Sequence, residues 1–147
     1  MRHKKKGRQL GRQTKHRWAL FRNLVTSLLE QERIETTEAK AKEIRGFTDR
    51  MISLGKEGSL PARRRALSFL RSKAVVAKLF GDVAGRFRER PGGYTRIIRT
   101  RRRVGDAAEM VAIELVVKPS EPPGGKQKAG SSASTTGDKS SSAKETA

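Results

Sequence analysis

The sequence predicts an α+β fold, a small sheet of about three strands with helices packed on it. Three observations carry this reading. Apolar residues recur at intervals of three and four through much of the first 90 positions, the spacing of a helix with one buried face. Beyond Pro91 the pattern changes to β-branched residues mixed with arginines. At 147 residues, 34% hydrophobic and 5% aromatic, the chain has material for one modest core.

Each element follows in order. Thr14 is a candidate N-cap for a first helix whose stripe is Trp18, Phe21, Val25 and Leu28, widened by Leu20 and Leu24. Arg33 to Thr36 reads as a short strand. Thr36 or Thr37 then caps a second helix carrying Ile44, Phe47, Met51 and Leu54, with Gly55 and Gly58 expected to end it. Ser59 and Pro61 open a short third helix through Ala66 and Leu70. Ser72 caps a fourth with Val76, Leu79, Phe80 and Val83, whose end Gly81 and Gly85 weaken. Tyr94 to Thr100 and Met110 to Val117 are two strands joined by a turn at Gly105 and Asp106. On the first of these Ile97 points inward and Arg96 outward, so Ile98 interrupts strict alternation on the outer side. No repeat of 20 to 50 residues is visible.

Three regions result: a basic arm over 1–14, an α+β domain over 15–117, and a Pro, Gly and Ser-rich tail over 118–147 that is expected to be disordered. The tail has no Leu, Ile, Val, Phe, Met, Trp or Tyr.

The formal charge of +19 concentrates the chain on polyanions and excludes a neutral binding module. Met1 to Leu29 hold no acidic residue, and such self-repulsion keeps the arm extended in water. A second basic cluster, Arg86, Arg88, Arg90, Arg96, Arg99, Arg101, Arg102 and Arg103, surrounds the hairpin with only Glu89 opposing it in sequence, and is expected to meet phosphate. Arginine is the commoner cation, and its planar fork suits ordered nucleic acid. No helix-turn-helix, zinc finger or basic zipper is recognisable, which favours irregular folded RNA. Composition alone also allows a DNA-compacting, nucleoid-type protein as the alternative.

Other chemistry is poorly supplied. Without cysteine there is no disulfide, thiolate metal site or thiol nucleophile, as fits a reducing compartment. His3 and His16 have no carboxylate nearby in sequence to complete a metal set. Glu30 with Glu32, and Glu35 with Glu38, could serve a magnesium-dependent nuclease. They lie among Arg and Lys, and pairing such as Glu38 with Lys42 explains them without catalysis. No phosphate-binding loop, membrane span or secretory signal is recognisable; the arginine-rich start shares the basicity of a mitochondrial transit peptide without its serines. No cofactor, small-molecule substrate or membrane partner is expected.

Five segments, MRHKKKGRQLGR from Met1, HRWALFRNLVTSLLE from His16, ERIETTEAKAKEIR from Glu32, RFRERPGGYTRI from Arg86 and RVGDAAEMVAIELV from Arg103, together resemble the bacterial-type L-seventeen family of large-subunit ribosomal proteins. In family order they span essentially Met1 to Val117. The resemblance implies a cytoplasmic, non-catalytic constituent of the large subunit. Its expected partners are large-subunit ribosomal RNA near the nascent-chain tunnel exit and neighbouring large-subunit proteins.

Carried onto this sequence, it implies RNA contacts from Arg2, His3, Lys4, Lys5, Gly7, Arg8, Leu10 and Arg12 in the arm, where Lys6 adds its charge. His16, Arg17, Arg22 and Asn23 continue that surface on the first helix, joined by Lys15. Thr36, Thr37, Lys40 and Lys42 match at the second helix, and Gly92, Gly93, Tyr94, Thr95 and Arg96 at the turn into the hairpin, with Arg99 beyond it. SLPARRRALSFLRSK fits the family only loosely and is assigned no contacts.

Overall fold

The computed structural model describes residues 7–117. Arg2 to Lys6 and the tail from Lys118 lie outside the described residues.

Helix α1 covers Thr14–Gln31. Its N-cap is Gln13, without a side-chain cap bond, so Thr14 is the first helical residue rather than the cap. Glu32 ends α1 at φ +61°, where its N–H closes onto the Leu28 carbonyl. This left-handed residue turns the chain into β1, Arg33–Thr37, one residue longer than the sequence predicts. Helix α2, Glu38–Glu57, follows at once and stops at Gly58 at φ +68°. Gly55 does not end it: the residue is buried within the helix, where an added Cβ would come within 3.3 Å of the Leu79 side chain and carbonyl.

Helix α3, Leu60–Phe69, has the expected serine cap, Ser59 Oγ accepting from the Ala62 N–H at 3.2 Å. Helix α4 starts at Lys73–Lys78 with Ser72 as its cap. It passes through a π-helical turn, Leu79–Val83, and finishes in Ala84–Arg86. Gly81 thus sits where the helix widens, and the chain continues helical past it.

Strands β2, Thr95–Arg102, and β3, Glu109–Leu115, form the hairpin. The sheet is antiparallel in the order β1-β3-β2. Ile34, Ile113 and Ile97 lie abreast on the inner face, while Arg33, Glu114 and Arg96 lie abreast on the outer one. A bulge at Thr100 shifts the register between Arg99 and Arg101. Ile98 is 40% exposed on the outer face, as the broken alternation predicts.

The helices cover the inner face, and the core joins Phe21, Val25, Leu28, Ile44, Ile52, Leu79, Phe87, Val111 and Ile113. Each such side chain contributes roughly 1.5–3 kcal/mol relative to an exposed position. No helix among the described residues is long and apolar enough to cross a membrane.

Candidate nucleic-acid interface

The arm joins the body through a structured turn rather than an extended strand. Gly7, Leu10 and Gly11 all have positive φ, at +88°, +53° and +59°. The Arg8 N–H donates to Glu43 Oε1 at 3.1 Å, Arg12 N–H donates to the Gln9 carbonyl, and Leu10 packs on the core. Gly7, Arg8, Arg17, Trp18 and Glu43 line a common cleft, so the arm leaves the body beside the start of α1.

From that point a basic surface runs along α1. Lys15, His16 and Asn23 are exposed, and Arg17 and Arg22 are half-buried. Arg71, in the segment that fits the family only loosely, joins them because its N–H donates to Thr26 Oγ1 at 3.2 Å while that hydroxyl donates to the Arg22 carbonyl at 2.7 Å. Thr26 thereby ties the α3–α4 junction to α1. The Arg22 guanidinium stands 5.9 Å from the Phe69 ring centre. Among the described residues, no carboxylate lies within 4.0 Å of the side-chain cations of Arg8, Arg12, Lys15, Arg17, Arg22 or Arg71.

The hairpin arginines are differently placed, and their cluster is not one-signed. Arg96 binds Glu114 at 2.9 Å, with Arg33 at 3.8 Å on the other side of the same buried carboxylate. Arg101 meets Glu35 at 3.1 Å, Arg99 meets Glu38 at 3.7 Å, Arg102 meets Glu109 at 4.0 Å, and Arg103 is paired with Asp106. The Arg103 hydrogen bond, helped by the Ala108 N–H, lowers the Asp106 carboxyl to about 2. Sheet pairing supplies acids that are distant in sequence, so Glu89 is not the only counter-charge. Arg86 belongs to the interior, with Nη1 donating to Glu32 Oε2 at 2.9 Å and Nη2 to Oε1 at 2.7 Å.

The remaining predicted positions divide by burial. Thr36, Tyr94 and Thr95 are buried, which leaves their side chains little surface for a ligand. Tyr94 packs edge-on against Phe87 at 5.3 Å and receives a bond from Lys56 Nζ at 3.3 Å. Gly92 is exposed, Gly93 is half-buried at φ +64°, and both carbonyls accept from Arg90 Nε. Thr37 and Lys40 are half-buried near the start of α2, and Lys42 pairs with Glu38 at 2.8 Å. The acidic pairs are similarly engaged: Glu32 also meets Lys78 at 2.7 Å, and Glu35 accepts from Thr100 as well as Arg101.

A family model described as Ribosomal protein L17 matches residues 20–116, which is most of the body just described. The chain belongs to the ribosomal protein L17 family. Over 116 residues, 79% of this L17-family chain, it is 59% identical to the large ribosomal subunit protein bL17 of Trichlorobacter lovleyi, covering 94% of that protein. The bL17 proteins of Geobacter metallireducens and Pelobacter propionicus are each 60% identical over 116 residues, with 65% and 91% of their lengths covered.

Sequence reasoning misses two features of the L17-family surface. Helical spacing places Trp18 in the core stripe, yet it is 42% exposed, at the rim of the core where its ring packs edge-on against Phe21 and Phe47. Arg71 belongs to no motif, and the Thr26 bond, 45 positions away in sequence, holds it against α1.

Proposed function

We propose that this chain is a structural constituent of the large ribosomal subunit in the cytoplasm, where it binds and stabilises folded ribosomal RNA and catalyses nothing. The observation that carries the RNA reading is the segregation of charge. Cations on α1, the arm base and Arg71 have no carboxylate partner among the described residues, whereas five hairpin arginines each have one. Unpaired cations held by a folded core neutralise crowded phosphates and release counterions, and the core fixes where they stand. Membership of the ribosomal protein L17 family supports large-subunit RNA as that polyanion.

The finer placement, beside the exit of the nascent-chain tunnel and against neighbouring large-subunit proteins, belongs to the same proposal and rests on family resemblance. The arm residues Arg2, His3, Lys4, Lys5 and Lys6 are proposed to extend the contact begun at Arg8 and Arg12. Gradient sedimentation of a lysate containing the tagged chain, at low magnesium where subunits separate, tests the reading. Co-migration with the large subunit through a high-salt wash is expected. Recovery with DNA, or at the top of the gradient, would overturn it.

A further inference from the structure

The exposed Trp18 stands at an open groove lined by Lys15, Trp18, Ala19, Arg22 and Arg71, with a volume of about 460 Å³. That volume lies in the range of roughly 300–1,000 Å³ common for small-ligand sites. The indole is braced from below: Phe47 meets it edge to face at 5.4 Å and 72°, and Phe21 at 6.3 Å and 78°. Phe47 in turn stacks on Phe69 at 5.8 Å, and Phe69 lies under the Arg22 guanidinium. The aromatic platform and the cation beside it are therefore held by the same rings. Among the described residues, neither the Arg22 nor the Arg71 guanidinium has a hydrogen-bond acceptor, and Arg22 Nε is buried without one.

We infer that this groove is a nucleotide site, in which an unstacked base of looped or single-stranded RNA stacks on Trp18 while its phosphates are met by Lys15, Arg22 and Arg71. The inference deepens the RNA-binding reading and rests on it. Phosphate contact alone requires only cations. A rigid, solvent-facing indole among unpaired arginines adds a surface for the π-face of a base, and the folded protein has already restrained it. A duplex would offer no free base face to this position, so the preferred partner is RNA with an extruded or unpaired nucleotide.

Trp18 is the only tryptophan in the chain, so its emission reports directly on the groove. The full-length protein is titrated with a labelled, mixed-sequence oligoribonucleotide. Tryptophan emission and the anisotropy of the label are followed together, against an abasic strand of equal length, adenosine monophosphate and polyglutamate. The base-bearing strand is expected to quench Trp18 along the same binding curve that anisotropy gives, and the abasic strand to bind more weakly without comparable quenching.

Trp18→Leu, which keeps an apolar side chain over Phe47, is expected to weaken binding of the base-bearing strand about 5- to 100-fold and to leave the abasic strand nearly unchanged. Trp18→Phe is expected to recover part of the loss, and circular dichroism checks that both variants are folded. Equal quenching by the abasic strand or polyglutamate would make the groove a general anion site and overturn the inference. Comparable affinity for adenosine monophosphate would overturn it in favour of a free nucleotide. RNA binding without quenching sinks the stacking site and leaves the RNA-binding reading standing; no binding at all sinks both.

Discussion

Arg86 grips Glu32 with two parallel N–H···O bonds of 2.9 and 2.7 Å, although 54 positions separate them. The same guanidinium donates to Asp82 at 2.8 Å and to the Val117 carbonyl at 3.1 Å. It therefore fastens the left-handed exit of α1, the end of α4 and the chain beyond β3 at one point. Arg86→Met removes this fork and leaves Glu32 with Lys78 alone. A loss of about 2–3 kcal/mol is expected in urea unfolding. Adding Glu32→Gln should return part of that loss by removing the poorly compensated charge. A single-variant loss within about 0.5 kcal/mol, the scale of an ordinary surface change, would show that the fork is not a fastening.

Two carboxylates give opposite pH signatures. The Arg86 hydrogen bond, with help from Lys78, holds Glu32 below its ordinary 4.5 despite burial. Its contribution is complete above 4.5 and is lost as pH falls through the lower folded value. Burial instead pushes Asp49 above its ordinary 3.8, against the effects of Arg45 and the Tyr94 amide. The folded state then holds that proton more tightly, so the Asp49 contribution present below 3.8 is lost as pH rises through the folded value. Asp49→Asn retains an acceptor for Tyr94, and is expected to raise the urea midpoint at about pH 7 with a gain that shrinks toward pH 3.8. Destabilisation at neutral pH would show that Tyr94 needs the full carboxylate.

Two glycines of α2 should respond with opposite signs. Gly46 is exposed with nothing within 4 Å of an added Cβ, so Gly46→Ala is expected to stabilise the free protein by about 0.5–1 kcal/mol through helix propensity. At Gly55 the methyl would crowd fully buried Leu79 and its carbonyl in the π-helical turn. Leu79 is fully buried and its carbonyl is part of the helix backbone, so Gly55→Ala is expected to cost about 1–3 kcal/mol. Thermal melts of both variants test the contrast.

Charge removal should separate the two arginine surfaces in solution. For a single-stranded RNA, Lys15→Gln with Arg71→Gln is expected to lower affinity and to reduce the slope of log K against log salt by about 0.7 for each phosphate no longer neutralised. Arg101→Gln should change the slope less, because Glu35 already offsets that charge. Equal slope changes would mean that carboxylate pairing does not determine which arginines meet RNA.

The helices and hairpin are legible in the sequence because their signals are local. Phe21, Val25 and Leu28 share a face through helical geometry alone, and Ser59 and Ser72 reach amides three residues away. The change of period after Pro91 marks the hairpin in the same way, and net charge by itself points to a polyanion. Tertiary structure decides which basic residues remain unpaired. Arg96 meets Glu114 on the adjacent strand β3 across 18 positions, and Arg101 meets Glu35 across 66 because the order β1-β3-β2 sets β1 and β2 on either side of β3. It also joins Arg71 to Trp18 and Arg22 through Thr26, 45 positions from Arg71. Sequence patterning specifies short-range backbone geometry and the amount of charge; compensation of that charge depends on distances between elements, which only their packing fixes.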